Sequence, residues 1–308
     1  MGRTKRRVGV ALLTGAVLTG AGVIGGTAMA AGANTTAQAS APAMLLDSIS
    51  PANGATVGVA MPISVVFTDA VAPSARAGIE RHLKVTTSRP VTGAWHWFSA
   101  KRVDWRPVGY WVPGTKVTLD AQLKGVADGH GRLGTHEYKH AFTIGADFEA
   151  FVSAPGHTMK VTRNGKVIRT MPIDAGSPQF PSWDGTMAVI DKQREVRMTS
   201  CSVGITCNPN NPNFYDITLP WDVHLTYSGT YVHYSTGDPF PGHSYGSHGC
   251  VHLSYANAEW YYNQVKVGDP LTITGSPRGK AAGDNGYADY NLSWSQWLAG
   301  SATGAHTA

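Results

Sequence analysis

The stretch that decides the fold is His233–Ser254, HYSTGDPFPGHSYGSHGCVHLS, with Ser247-His248-Gly249-Cys250 at its centre. In an extended segment, side chains two residues apart point to the same side. His248 is therefore predicted to lie within reach of the Cys250 thiol and to accept its proton. A thiolate beside an imidazolium is a strong nucleophile at neutral pH. Gly249 between them leaves the backbone open to a substrate, so the stretch predicts nucleophilic cysteine chemistry.

This stretch resembles the signature of the L,D-transpeptidases with the YkuD fold, in which an upstream His and a Gly-rich loop precede Ser/Thr-His-Gly-Cys. Two features depart from that signature. The loop between His233 and Ser247 is slightly short, and His252 occupies a position that is usually Asn or Arg. The resemblance implies an enzyme that crosslinks peptidoglycan stem peptides and needs no metal or organic cofactor. It also implies inactivation by carbapenems, which acylate the same cysteine.

The resemblance further implies roles for the residues around Cys250. His248 is expected to act as the base and later as the acid. Its ring is expected to be oriented by a backbone carbonyl just after the upstream His, which here falls at Tyr234. His233 is expected to shape the acyl pocket, with a purely structural histidine as the alternative, and Ser247 is expected to fix the loop.

Acyl transfer passes through an oxyanion, so hydrogen-bond donors must converge on it. The backbone amides of Gly249 and Cys250 are the expected pair. Alignment with the family also places the Tyr215 hydroxyl at this site, although a packed aromatic ring is the alternative. Met198 matches an apolar residue that lines the donor cleft, and His252 is expected to retain one hydrogen-bond donor.

A zinc site is the competing interpretation of the same residues. The sequence places five histidines near Cys250: His224, His233, His243, His248 and His252. His248, Cys250 and His252 alternate, which would put three zinc ligands on one strand face. Ligands from one short strand are geometrically awkward, so thiol chemistry is favoured and no metal is assigned. Two functional alternatives stay open: an L,D-carboxypeptidase, in which water resolves the thioester, and a wall-binding module without catalysis.

Composition favours an exported protein. Only 15% of the residues are charged, while Gly (36) and Trp (9) are plentiful, which is typical of β-rich exported proteins. Residues 1–30 have a basic start, an apolar run and a small-x-small site at Ala28-Met29-Ala30, which predict a signal peptide. An uncleaved anchor, with contact to the membrane, is the alternative. Four basic residues fall in this segment, so the net charge of +5 does not indicate nucleic-acid binding.

The chain has three cysteines, an odd number for an exported protein. Cys201 and Cys207 bracket a short loop and could close a small disulfide. Cys250 would then be the unpaired thiol, as a nucleophile must be. The alternative, in which all three thiols are free, stays open at this point.

The predicted fold is mainly β: an immunoglobulin-like β-sandwich, followed by a YkuD-type β-rich catalytic domain with one main helix. Residues 31–43 are rich in Ala, Gly, Thr, Ser and Pro, which predicts a flexible linker. Short alternating runs over residues 44–146 predict the sandwich. The same segment resembles the immunoglobulin-like domain that precedes the catalytic domain in actinobacterial members of the family.

Residues 147–276 are predicted to form the catalytic domain. Within it, Ser254 is a candidate N-cap for a helix that ends near Val265. Residues 277–308 contain two Trp and two Tyr, more aromatic residues than a disordered tail usually has. This extension is expected to pack on the catalytic domain, with a loose end from about Ser301.

Overall fold

The computed structural model describes residues 41–308. The predicted signal peptide and nearly all of the predicted linker lie outside the described residues. The first strand begins at Ala43, one residue inside the predicted linker. Within residues 41–308, no helix is long and apolar enough to cross a membrane.

The first domain is a β-sandwich of short strands, joined by one strand from the C-terminus. Its elements are β1 (Ala43–Met44), β2 (Leu46–Ser50), β3 (Thr56–Val57), β4 (Ile63–Phe67), α1 (Pro73–His82), β5 (Leu83–Thr87), β6 (Thr92–Trp97), β7 (Arg102–Pro107), β8 (Lys116–Ala121), β9 (Leu133–Gly134), β10 (Tyr138–Ile144) and the C-terminal β22 (His306–Thr307). The two sheets have the strand orders β2-β4-β7-β6-β22 and β3-β10-β8-β5, and β1 pairs with β9.

Alternation along the central strands explains how this sandwich forms. Trp95 on β6 and Trp105 on β7 are cross-strand partners, and both are fully buried. The Trp111 ring packs 5.1 Å from the Trp105 ring. Residues at every second position thus fill the space between the sheets, as the alternating sequence predicts.

The second domain, predicted as the catalytic one, contains a five-stranded sheet, a four-stranded sheet, a two-stranded pair and one ten-residue helix. Its elements are β11 (Phe148–Ser153), β12 (Thr158–Arg163), β13 (Lys166–Pro172), β14 (Ala175–Gly176), β15 (Gly185–Ala188), β16 (Asp191–Thr199), β17 (Asp216–Thr226), β18 (Thr230–Tyr234), β19 (Tyr245–Ser247), β20 (Val251–Leu253), α2 (Tyr255–Gln264) and β21 (Pro270–Thr274). The sheets have the orders β13-β12-β11-β21-β15 and β16-β17-β18-β20, and β14 pairs with β19. The mainly β fold class with one main catalytic-domain helix is therefore confirmed.

Local sequence signals fix several boundaries in this domain. Asn164 and Gly165 both have positive φ, 50° and 74°, and turn β12 into β13 as a type I′ hairpin requires. Ser254 is the N-cap of α2, although its side chain makes no capping hydrogen bond. The helix buries Ala258 and Tyr261 against the sheet that carries Cys250.

The C-terminal extension differs from the expectation that it packs on the catalytic domain. Its first part does contact that domain, since Asn291 in a 3₁₀ turn (Asp289–Asn291) accepts from the Thr186 amide at 2.7 Å. Its second part, α3 (Trp294–Ala299) and β22, packs instead on the first domain. The end from Ser301 is also not loose, because β22 pairs with β6 along the sandwich edge.

Candidate active site

The turn before Cys250 is folded by one hydroxyl. Ser247 Oγ donates to the Cys250 carbonyl at 2.6 Å and accepts from the Gly249 amide at 3.1 Å. Gly249 has a φ of +117°, a conformation that other residues rarely adopt. Of the expected oxyanion pair, the Gly249 amide is hydrogen-bonded to Ser247 in this structure, so its role as an oxyanion donor stays a prediction. The Cys250 amide and the Tyr215 hydroxyl are left as candidates.

The Cys250 thiol is free and half-buried at the end of this turn. Its sulfur accepts from the Tyr231 amide at 3.4 Å and lies 3.7 Å from the Gly229 carbonyl. Burial raises the pKa of the Cys250 thiol to about 12. This shift favours a neutral thiol, which would have to lose its proton to act as a nucleophile.

His233 is the imidazole that the structure holds in a defined tautomer. Its Nδ1 donates to the backbone carbonyl of Tyr234 at 2.8 Å, which leaves Nε2 as the acceptor. The expectation that this carbonyl orients His248 is therefore wrong. Burial lowers the pKa of His233 to about 3, so its ring is neutral and able to take a proton.

The strand register places His233 beside the nucleophile. β18 and β20 are parallel, with Val232 opposite Val251 and His233 opposite His252. The residues that precede Val232 and Val251 are Tyr231 and Cys250. They lie beside each other, because the Tyr231 amide donates to the Cys250 sulfur. Since alternate residues share a face, Cys250 and His233 lie diagonally on the same face of the sheet.

His248 lies in a different environment. Its ring packs between Phe180, at 4.8 Å, and Tyr215, at 5.0 Å. Burial lowers the pKa of His248. Its ring makes no hydrogen bond to any part of the chain that the structure describes, whereas the Tyr234 carbonyl orients the His233 ring.

His252 forms a polar pair at the far side of His233. Its Nδ1 lies 2.9 Å from Asp238 Oδ2, and its ring lies 5.0 Å from the His233 ring. Among residues 41–308, no three His, Cys, Asp or Glu side chains converge in a geometry that could hold a metal ion.

Two cavities meet at Cys250. One has a volume of about 430 Å³ and the other about 310 Å³. Met198, Tyr215, His248 and Cys250 line both, whereas His233 lines only the smaller one. Burial also raises the pKa of Tyr215 to about 12, which keeps its hydroxyl protonated as a donor. The thiol is thus accessible from two sides.

The segment between β16 and β17 covers the larger cavity. In it, Cys201 and Cys207 form a disulfide, and Cys250 is the free cysteine. The alternative with three free thiols is therefore wrong. Ser202, Val203 and Ile205 inside the disulfide loop line the larger cavity.

Family models match two parts of the chain: a bacterial Ig domain over residues 19–127 and an L,D-transpeptidase catalytic domain over residues 147–273. L,D-transpeptidase 1 of Mycobacterium tuberculosis is 38% identical over 232 residues, which cover 74% of this chain and 84% of that protein. The chain belongs to the L,D-transpeptidase family. L,D-transpeptidase 2 of the same species is 35% identical over 271 residues, which cover 87% of this chain and 65% of that protein.

The structure of a solved relative has the same fold as this chain. The structure of an LD transpeptidase in complex with imipenem is 36% identical and superposes with a TM-score of 0.63. The match covers 76% of this chain and 99% of that chain. Both the sandwich and the catalytic domain of this chain are therefore those of the family.

The sequence analysis did not predict some of the residues that build this site. Asp174 Oδ1 accepts from the amides of Gly242, His243 and Ser244, which fixes the loop before Cys250. An acid between apolar residues, Ile173 and Ala175, was the available signal for a buried carboxylate. Asp238 and Arg278 gave no such signal, because both lie in polar, Gly-rich stretches.

Proposed function

We propose that this protein is an exported enzyme that crosslinks peptidoglycan by L,D-transpeptidation through Cys250. The observation that supports this most directly is one free thiol at the junction of two cavities, with an oriented neutral imidazole on the same sheet face. A transpeptidase needs room for an acyl donor and an acceptor on either side of its nucleophile. A donor stem and an acceptor stem would each occupy one cavity.

In the proposed acylation step, Cys250 Sγ attacks the carbonyl that links the third residue of a stem tetrapeptide to its terminal D-Ala. The thiol proton passes to Nε2 of His233, which acts as the general base. The Cys250 amide and the Tyr215 hydroxyl donate to the oxyanion. The carbon–nitrogen bond then breaks, His233 returns the proton to the leaving amine, and a thioester remains.

In the second step, the side-chain amine of the third residue of another stem attacks the thioester. Its proton passes to His233 and then to the departing Cys250 sulfur, which restores the thiol. The product is an amide between two third residues. Water in place of the amine would give the L,D-carboxypeptidase outcome. We also propose that carbapenems acylate Cys250, since a relative has been solved with imipenem bound.

The test is incubation of the purified protein with a disaccharide-tetrapeptide, with products resolved by mass. A crosslinked dimer with release of D-Ala is the expected result. Tripeptide monomer alone would indicate a carboxypeptidase, and unchanged substrate would contradict the proposal. Cys250→Ala should form no product, whereas Ser88→Ala on the sandwich, which lines neither cavity, should form the dimer.

A further inference from the structure

Arg278, in the loop that follows β21, has a fixed guanidinium. Its Cζ stacks 3.7 Å above the centre of the Trp183 ring, and its Nη1 donates to the Pro181 carbonyl at 3.3 Å. Stacking on an aromatic face and a hydrogen bond to a carbonyl together restrain a side chain that is otherwise very flexible. Nη2 and Nε remain as donors for another partner.

The position of this guanidinium is next to the nucleophile. A β-carbon built on Gly249 would lie 3.7 Å from Arg278 Nη1. Arg278 also lines the larger cavity together with Cys250. A ligand group that contacts Arg278 would therefore belong to the same peptide whose carbonyl lies at the thiol, or to the peptide that approaches it.

Arg278 differs from the other arginine of this cavity in its lack of an acidic partner. Arg197 also lines the cavity, but its Nε and Nη2 bind the Asp216 carboxylate at 2.7 and 2.6 Å. Arg278 forms no salt bridge with any carboxylate in the stretch from residue 41 to residue 308. An oriented cation without a counter-ion, at the wall of a substrate cavity, is suited to bind an anionic ligand group.

We propose that Arg278 is a specificity-determining residue that binds a carboxylate of the acyl-donor peptide in the larger cavity. This inference rests on the proposed transpeptidase function. A stem tetrapeptide has a terminal α-carboxylate and, where its diamino acid is a dicarboxylic one, a second carboxylate on the third residue. Both have the planar oxygen pair that a guanidinium binds through two parallel hydrogen bonds.

The experiment compares three acyl donors that differ by one group: the free tetrapeptide, its C-terminal amide, and the tetrapeptide amidated at the third residue. The rate of Cys250 thioester formation is measured by intact-protein mass for the wild type and Arg278→Gln. For the wild type we expect roughly a ten-fold preference for the free tetrapeptide over one of the two amides, the usual size for a partly exposed charge-assisted hydrogen bond. Which amide loses rate identifies the bound carboxylate.

In Arg278→Gln, the rate of thioester formation with the free tetrapeptide, divided by the rate with the disfavoured amide, is expected to approach one. Because each ratio is taken within one preparation, a change in the folded fraction cancels. Arg169→Gln is the matched control, since its guanidinium also stacks on a tryptophan ring, that of Trp260, but lines neither cavity, and it should keep the wild-type ratio. The wild-type preference should also decrease as salt is raised, because the contact is partly exposed.

Equal ratios in the wild type and Arg278→Gln for both amides would overturn the carboxylate site. A wild type that forms a thioester with none of the donors would instead contradict the proposed function. The two failures are therefore distinguishable in one set of measurements.

Discussion

At the scale of single residues, burial favours the neutral form of both the proposed nucleophile and the proposed base. Burial raises the pKa of Cys250 to about 12 and lowers that of His233 to about 3. These shifts disfavour a preformed thiolate–imidazolium pair, which the order His248-Gly249-Cys250 predicts. Proton transfer to His233 has to accompany attack on the carbonyl, and the hydrogen bond to Tyr234 keeps Nε2 ready to receive it.

We therefore expect His233→Ala to slow thioester formation by roughly 10²–10⁴-fold, the usual contribution of a positioned general base. The wild-type rate should be nearly flat between pH 5 and pH 8, since His233 stays neutral throughout this window. In His233→Ala the rate should rise about ten-fold per pH unit, because only the thiolate fraction then supplies the nucleophile.

The control is His248→Ala, which removes an imidazole that packs between two aromatic rings and has no orienting partner. We expect a smaller loss and no new pH dependence. If His248→Ala were the crippled variant and His233→Ala nearly normal, the assignment of the base would have to be exchanged.

A second residue-scale prediction concerns Asp222 on β17. Its carboxyl is fully buried, and neither oxygen finds a partner in the described part of the chain. Burial raises the pKa of Asp222 to about 8, so the folded protein binds a proton that the unfolded chain releases above about pH 4. The contribution of protonated Asp222 to the unfolding free energy is therefore fully present below the unfolded pKa and is lost as pH rises towards 8.

Asp222→Asn removes this loss. Because one pKa unit corresponds to ~1.4 kcal/mol, we expect the variant to gain at least about 2 kcal/mol of unfolding free energy over the wild type between pH 5 and pH 8. Chemical denaturation at the two pH values measures it. Asp216→Asn, on the same strand but exposed and paired with Arg197, should show no such gain. A pH-independent difference for Asp222→Asn would contradict the buried-acid interpretation.

At the scale of elements, the loop between β18 and β19 depends on Asp174, just before β14. The carboxylate accepts three backbone amides through Oδ1 and the Ser244 hydroxyl through Oδ2 at 2.8 Å. Burial opposes ionisation here, but the hydrogen bonds from Ser244 and Gly242 prevail and lower the pKa of Asp174. Its stabilising effect is therefore present above the unfolded pKa and is lost as pH falls through the folded one.

We expect Asp174→Asn to cost about 2–3 kcal/mol of unfolding free energy, because an amide replaces one acceptor oxygen by a donor. Amide hydrogen exchange at residues 242–244 should accelerate in the variant. Ser244→Ala removes only the hydroxyl contact, so it should cost about 1 kcal/mol and leave those amides protected. Unchanged exchange in Asp174→Asn would show that the loop is held by other contacts.

The elements also show what could be predicted from sequence. Local chemistry fixed the β12–β13 turn at Asn164-Gly165 and the start of α2 after Ser254, because those signals lie within a few residues. Nearness in sequence predicts His248 as the base, whereas the parallel register of β18 and β20 places His233 on the same sheet face as the thiol, and the proposed reassignment of the base rests on that register. β22 was missed because a two-residue strand exists only where the β6 edge is available.

At the scale of the whole molecule, the two domains share backbone hydrogen bonds. The Gly58 amide donates to Val267 at 2.8 Å, and the Ala60 amide donates to Gly268 at 2.9 Å. Arg102 on β7 donates to the Gly286 carbonyl at 2.9 Å. The extension then crosses from the catalytic domain to the sandwich, so a protein that began near Asp147 would lose the surface on which α3 and β22 pack.

Glu80 on α1 holds the end of the extension. Its Oε1 accepts from the Trp97 indole and the Ala302 amide, each at 2.8 Å, and its Oε2 accepts from the Thr303 hydroxyl at 2.6 Å. One buried carboxylate thus joins helix α1, strand β6 and the C-terminus. Unfolding of the sandwich therefore has to release the extension as well.

The last prediction tests this connection through Trp297 on α3. Its ring is fully buried, its Nε1 donates to the Ala94 carbonyl at 2.9 Å, and it stacks 4.6 Å from His96. We expect Trp297→Ala to lower the unfolding free energy by about 3–5 kcal/mol, the usual cost of truncating a buried aromatic. Trp294→Ala, one turn earlier and only partly buried, is the matched control and should cost less than half as much. Thermal unfolding followed by tryptophan fluorescence measures both variants.

Thioester formation at 25 °C should stay near wild type in each, because α3 lies on the sandwich and away from Cys250. If Trp297→Ala abolished acylation while the protein remained folded, the extension would be part of the active site rather than a connection between domains.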